Sequence, residues 1–341
     1  MKQAQVYCTI KDIISDQEKL GVNSEESDLF GKIEAASDIL FRKAAGGFVP
    51  VVATYKFGAK RGYENRPLEI KPLLEVISIK VNGEEITDFM LRPVNRFWDN
   101  GPYTSVVRDG LWGNDDEVEI EGIWGLYQQI ESLGVNITQS TNTEVTIEVE
   151  NGALLSPGMV LKIEDEQEFV SAGAGGPDSP GAIAATSKVN MVDGIALEDE
   201  VISVDNGSEF FAGEVLQIGL EDLYVLKVGG NDLSVIRGWN RTQKTEHNDD
   251  ADIRVYRTFV VVRGVNGTTA AAHDSKEVSR YRVPLILNYL CREIAWLMKS
   301  KAASGFTGIT GDSEMGSGRY YSEFPPNQIA EVLNLFKIPR F

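Results

Sequence analysis

The chain has 341 residues, with 33 Lys and Arg against 51 Asp and Glu, a formal net charge of −18. Phosphates and anionic lipid repel such a chain, which argues against sequence-reading nucleic-acid binding and membrane-surface roles. A hydrophobic share of 42% supports real cores, and the length suits two or three domains. Two cysteines 283 positions apart, Cys8 and Cys291, exclude a disulfide scaffold and thiol metal clusters, and two histidines leave very little for acid–base or zinc chemistry.

Met1 to Ile14 shows no basic stretch followed by an apolar one, so no secretory leader is expected. The most apolar segment, Pro284–Met298, is short for a bilayer span and carries Arg292 and Glu293. A chain made and used in a reducing cytoplasm is the expectation. Thr9-Ile-Lys-Asp12 predicts a brief capped helix ending near Ser15. Asn23 and Ser24 open a second helix, in which Leu29, Ile33, Ala36 and Leu40 share one face and Gly46-Gly47 provide the stop. From Phe48 to Tyr127 the period becomes two. Ile77, Ile79 and Val81 alternate with polar residues, and Asn82-Gly83 predicts a tight hairpin. Val118–Gly125 is a further strand, and Arg92–Pro102, containing Phe97 and Trp98, is a loop.

Residues 145–275 contain an internal repeat. Ile147-Glu-Val-Glu-Asn-Gly152 matches Ile202-Ser-Val-Asp-Asn-Gly207 at an offset of 55. The same offset maps Gly158, Val160, Leu161, Ile163, Glu166, Phe169 and Val170 onto Gly213, Val215, Leu216, Ile218, Glu221, Tyr224 and Val225. A second match, at an offset of 26, relates Val235-Ile-Arg-Gly-Trp-Asn240-Arg-Thr242 with His247 to Val261-Val-Arg-Gly-Val-Asn266-Gly-Thr268 with His273. The first unit has no Arg-Gly-x-Asn-x-Thr segment close by and runs instead into the Gly/Pro-rich stretch Ala172–Gly181. This predicts nesting: the second unit, about 193–257, sits inside the first, whose last strand is Phe259–Gly264. Val160 and Val261 then share a sheet.

After Arg280 a helical pattern returns. Pro284 suits a first turn, and Ile286, Leu290, Ile294, Leu297 and Met298 predict an apolar stripe reinforced by Tyr289 and Trp296. Phe324-Pro-Pro326 opens a last helix with Ile329, Val332, Leu333 and Phe336 on one face, before the end at Phe341. That apolar end either folds back on its own chain or lies in a groove of another protein.

Catalytic motifs are not expected. There is no Walker loop, nucleophile elbow or His-Glu-x-x-His, and the acidic runs lack calcium-loop spacing. No enzyme activity, cofactor or metal is predicted. The two histidines could pair with Asp249 and Asp274 at a metal or proton switch, but a packing or hydrogen-bonding slot in a repeated turn is the preferred reading. Two functions are weighed from the residues: a surface-recognition protein whose repeats bind a glycan through Trp239, Trp112 and other aromatics, and a glycan hydrolase using paired carboxylates.

The order of elements resembles the head–tail connector (adaptor) family of tailed bacteriophages. The resemblance rests on the helix with Ala35-Ala36-Ser37-Asp-Ile39, the Gly-Gly-Phe-Val-Pro50 turn, the Leu74–Thr87 hairpin, Leu91-Arg-Pro-Val-Asn95, the Gly-Ile-Trp-Gly strand, the Val-Pro helix and the terminal Phe-Pro-Pro-x-x-Ile-Ala-x-Val-Leu helix. It covers about 1–130 and 281–341, and the repeat region is a departure from the pattern. The resemblance implies an α+β fold: a small helical connector core with β-hairpins, interrupted by an inserted all-β domain. The domains are then 1–130 and 281–341 for the core and 131–280 for the insertion, with 193–257 nested. It further implies a virion neck protein assembled in the host cytoplasm as a ring of twelve, contacting the portal protein and a tail, stopper or terminator protein. Packaged DNA would pass through without sequence-specific binding and without membrane contact. The resemblance leaves the insertion's task open: it could decorate the neck, bind a fibre or spike protein, or enlarge ring contacts. The rival within the same virion setting is another neck, tail or baseplate protein whose repeats bind a fibre protein or a host-surface glycan. On this reading Phe324, Pro325, Ile329, Leu333, Leu335, Phe336, Ile338 and Phe341 dock the portal. Phe97, Trp98, Ile286, Tyr289 and Trp296 pack neighbouring subunits.

Overall fold

The computed structural model describes residues 4–17, 26–44, 46–58, 67–95, 101–108, 112–113, 115–173, 175, 179–303, 309–310, 319–320 and 326–336. The expected helical connector core is not what forms. The chain is 45% strand and 19% helix, and its described residues build three six-stranded antiparallel sheets with four helices. The first sheet comes from β1 (Val51–Gly58), β2 (Leu68–Val81), β3 (Glu84–Glu85), β4 (Phe89–Arg92), β5 (Tyr103–Arg108) and β6 (Glu117–Trp124). Its order is β1-β6-β2-β5-β4, with β3 paired to β2. Asn82 and Gly83, at φ 52° and 89°, make the predicted β2–β3 turn, because both central residues must be left-handed there.

The repeats form the other two sheets. The second sheet contains β7 (Gln129–Gln139), β8 (Thr146–Glu148), β9 (Val160–Ile163), β10 (Glu166–Gly173), β17 (Thr258–Val262) and β18 (His273–Arg282), in the order β7-β18-β9-β10-β17-β8. The third contains β11 (Ile183–Lys188), β12 (Val201–Ser203), β13 (Val215–Ile218), β14 (Glu221–Gly229), β15 (Asp232–Trp239) and β16 (Asp252–Val255), in the order β11-β16-β13-β14-β15-β12. Strand for strand the two orders are the same. In the third sheet β14 and β15 form a hairpin through Gly230-Asn231. In the second sheet their equivalents β10 and β17 are also paired, yet the whole third sheet lies between them in the chain. Val160 and Val261 therefore belong to one sheet, and the second unit is threaded through a hairpin of the first.

Repeated residues explain themselves in contacts. Asn151 and Asn206 each cap a short 3-10 turn, their side-chain oxygens accepting from Ala153 N (2.8 Å) and Ser208 N (3.2 Å). The glycine that follows is required by crowding: a Cβ on Gly152 would lie 2.5 Å from the Tyr256 carbonyl oxygen, and one on Gly207 would overlap that of Gly230. At the junction of the units Glu214 is buried, accepting from Gly152 N (2.9 Å), Arg257 Nε (2.8 Å) and Phe211 N (2.9 Å). The two sheets are thereby tied by charge as well as by packing.

The helices are α1 (Ile10–Gln17), α2 (Glu26–Lys43), α3 (Leu285–Ala303) and α4 (Pro326–Asn334). Their apolar faces join one cluster with the second sheet: Leu29, Ile33, Ala36 and Leu40 of α2 meet Leu287, Leu290, Ile294, Val160, Phe169 and Val261. This is why no helical core stands alone. Each short helix has a single apolar stripe, and a sheet face supplies the area that stripe needs. The buried stripe of α3 is Leu287, Leu290, Cys291, Ile294 and Ala295; it keeps Leu290 and Ile294 of the predicted stripe, while Leu297 and Met298 are half-buried and Ile286 faces outward. No helix among the described residues is long and apolar enough to cross a membrane.

Gly207→Ala is expected to destabilise the protein by about 2 kcal/mol, because the methyl group forces the Gly230 turn aside. Urea unfolding would measure it. An equal control, Gly83→Asn, keeps a left-handed turn with open space around it and should cost much less.

Candidate functional site: buried ionic clusters and an exposed helix face

The Arg-Gly-x-Asn-x-Thr…His signature builds a buried ionic cluster, once in each repeat. In the nested unit Glu221 is fully buried and takes a two-pronged contact from Arg237, Nε to Oε1 and Nη2 to Oε2, both at 2.8 Å. Gly238 N (2.8 Å) and Thr245 N (3.1 Å) also donate to it, and His247 Nε2 lies 2.9 Å from Oε2. In the outer unit Glu166 receives Arg263 Nε (2.8 Å) and Nη2 (2.7 Å), Gly264 N (3.0 Å) and Ala271 N (2.9 Å), with His273 Nε2 at 3.0 Å. Every partner is shifted by 26 residues, except the carboxylate, which is shifted by 55 because the insertion falls between.

The remaining signature residues shape the turn. Gly238 and Gly264 adopt φ 63° and 58°, and Asn240 and Asn266 φ 54° and 55°. Thr242 and Thr268 accept from the backbone N–H of Asp222 and Gln167, each at 2.9 Å, and donate to Trp239 O and Val265 O. Asn266 reaches further, accepting from Ala4 N at 2.8 Å, so the turn of the outer unit also pins the start of the chain. The histidines thus fill a hydrogen-bonding slot. Their partners are glutamates far away in sequence rather than Asp249, which accepts from Met191 N, or Asp274.

Among the buried positions at which the repeats differ, one exchanges a leucine for a carboxyl. Where the nested unit has Leu223, in its apolar cluster, the outer unit has Glu168, whose side chain is fully buried. Burial pushes the Glu168 carboxyl up to about 7, with the Glu166 carboxylate adding to the rise and the Arg263 guanidinium, 2.6 Å away, opposing it. Glu221 moves the other way: the His247 and Arg237 contacts and two backbone donors outweigh its burial and hold it below the usual carboxylate range. Ligand atoms of Glu166, Glu168 and His273 lie close enough to share a metal ion. Arg263 already bridges the two carboxylates, so the cation in this cluster is a guanidinium.

The sequence-predicted contact residues scatter. Ile286 and Tyr289 lie on the outer face of α3, 42% and 53% exposed, beside Leu285 at 72%. Trp296 is half-buried, with Lys299 over its ring. Ile329 and Leu333 are buried in their own chain, and Phe336 packs edge-on to Phe48 with centroids 5.0 Å apart. Leu335 is exposed. Phe97, Trp98, Phe324, Pro325, Ile338 and Phe341 lie outside the described residues. Trp239 and Trp112, the aromatics considered for sugar stacking, are buried and present no face to a glycan. Missed altogether was Leu285, whose place next to Pro284 was visible but whose direction was not. The chain matches no family model, no curated protein and no solved structure.

Because the folded Glu168 carboxyl lies above its unfolded value, its contribution is fully present below about pH 4.5 and is lost as pH rises through about 7. Glu168→Leu, which copies the nested unit, should therefore stabilise the protein above pH 7 by up to about 3 kcal/mol and flatten the stability profile between those values. Denaturant titrations across pH would check this, and a variant less stable than wild type at pH 8 would contradict it.

Proposed function

We propose that the chain is a virion structural protein, a head–tail connector subunit of a tailed bacteriophage that closes with copies of itself into a ring between portal and tail. The observation that carries this reading is the outer face of α3. Leu285, Ile286 and Tyr289 are exposed together at the start of a helix whose inner face closes the core. A ring needs two different patches that meet head to tail. The second is offered by the first sheet, where Ile77 and Met90 are about half exposed, and by Val94 just beyond β4, which is more so. The occupant of the α3 face is accordingly a second copy of this chain.

The charge suits a DNA conduit. A net −18 keeps phosphate from adhering to the channel, so DNA can slide. It also sets subunits against one another, and apolar contact must overcome that repulsion, less so as salt screens it. Portal docking falls to Leu335 and the residues beyond Phe336, since Ile329, Leu333 and Phe336 serve the chain's own core.

Negative-stain images and mass photometry should show closed rings for the wild-type chain, favoured by moderate salt. Ile286→Asp and Tyr289→Asp should each remove the rings while leaving the melting temperature within a degree or two, as both side chains are exposed. Leu335→Asp should leave rings intact and weaken portal binding at least tenfold. A monomer at all concentrations and salts, with or without portal, would overturn the proposal.

A further inference from the structure

Cys8 and Cys291 stand 283 residues apart in the chain, and their sulfur atoms lie 3.2 Å apart, with the Cys8 thiol donating to Cys291 Sγ. Both are buried. Cys8 belongs to the segment that leads into α1, and Cys291 sits on the inner face of α3. A disulfide has its sulfurs about 2 Å apart, so closing this pair asks for a movement of only about 1 Å. Ser37 Oγ, 3.3 Å from Cys291 Sγ, also accepts from Tyr7 N, which holds the neighbourhood in register.

We propose that Cys8 and Cys291 are a latent disulfide, a lock that on oxidation fastens the N-terminal segment covalently to α3. With a small disulfide such as oxidised glutathione the step balances. One protein thiolate attacks the reagent, forms a mixed disulfide and releases one glutathione thiolate. The second protein thiolate then displaces the other glutathione, so two protein thiols are oxidised and one disulfide is reduced to two thiols. Whichever cysteine exchanges first, its partner meets and resolves the adduct as the N-terminal segment settles back.

The same environment makes the lock slow to close. The contact with Cys291 and the burial hold the Cys8 thiol well above its usual range, so little thiolate is present to attack. Exchange has to wait for the N-terminal segment to lift. Its anchors are Ala4 N to Asn266 Oδ1 (2.8 Å), Tyr7 N to Ser37 Oγ (3.1 Å) and Asn288 Nδ2 to Tyr7 O (3.1 Å). Resting on the virion reading, the thiols would persist during assembly in a reducing cytoplasm and close after release; the chemistry itself does not require that reading.

The test uses the full chain, freshly reduced, in two arms: incubation with oxidised glutathione below the melting temperature, and refolding from denaturant in a glutathione redox buffer. Each arm is quenched with N-ethylmaleimide under denaturing conditions. The expected product takes up no maleimide, has lost the mass of two hydrogens and yields a Cys8–Cys291 linked peptide. Its melting temperature should exceed that of the reduced chain by roughly 5 °C, because a very long loop is closed, and reductant should reverse the gain. Cys8→Ser should show no such gain. Two free thiols in both arms, a glutathione adduct that persists, or a linked product that melts no higher than the reduced chain would overturn the proposal. Failure of ring formation would leave it untouched.

Discussion

A carboxylate taken out of water must be given back every interaction that water supplied, and in this protein Arg237 and Arg263 do most of that work for Glu221 and Glu166. Each guanidinium meets its carboxylate with two parallel contacts and then spends its other N–H groups on loop carbonyls: Ala196, Asp199 and Thr245 in one unit, Thr141, Glu144 and Ala271 in the other. Pairs of this kind add little net stability when formed, but removing one partner strands a buried charge at a cost of about 3–5 kcal/mol. Their effect is to admit one conformation of the loops they hold. The turn that carries Gly, Asn and Thr, and the slot that carries His, are consequences of that geometry.

The nesting follows from the same pairs. In the inner unit the two charges are 16 residues apart and close over a simple hairpin, whereas in the outer unit they are 97 apart, with the inner unit between them. The entropy of closing a loop grows only with the logarithm of its length, so a folded insertion that returns its ends side by side is tolerated. β10 and β17 need just that, since Gly173 pairs with Phe259 across the site of insertion. Glu214 and Arg257 then bind the inner unit to Gly152 of the outer one, which makes the insertion part of the body.

The helical layer depends on the outer unit in turn. Asn266 holds Ala4, and the segment from Ala4 to Ile13 threads between α3 and the sheet, with Tyr7, Cys8, Ile10 and Ile13 all buried. The first and last parts of the chain thus share one core, and α3 is left with an inner face that is satisfied and an outer one that is not. On the proposed connector reading, the exposed side of α3, with Leu285, Ile286 and Tyr289, is where a second copy of the chain would dock.

Much of this was legible in residues alone. The offsets of 55 and 26 predicted the nested order, because matching side chains recur wherever the same local hydrogen bonds recur. Asn82-Gly83 announced its hairpin, and the 3.6-residue spacing of Leu29, Ile33, Ala36 and Leu40 announced the buried side of α2. Periodicity reports which residues seek burial and which backbone a turn demands, and both are local matters. It does not name the partner. That α3 turns Leu287 inward and Ile286 outward, that His273 answers to Glu164 and Glu166 rather than to Asp274, that Cys8 meets Cys291, and that α2 and α3 share their core with the second sheet were decided only when distant parts of the chain came together. Those pairings span up to 283 residues, and tertiary packing, which selects among many chemically acceptable partners by proximity, is where they are settled.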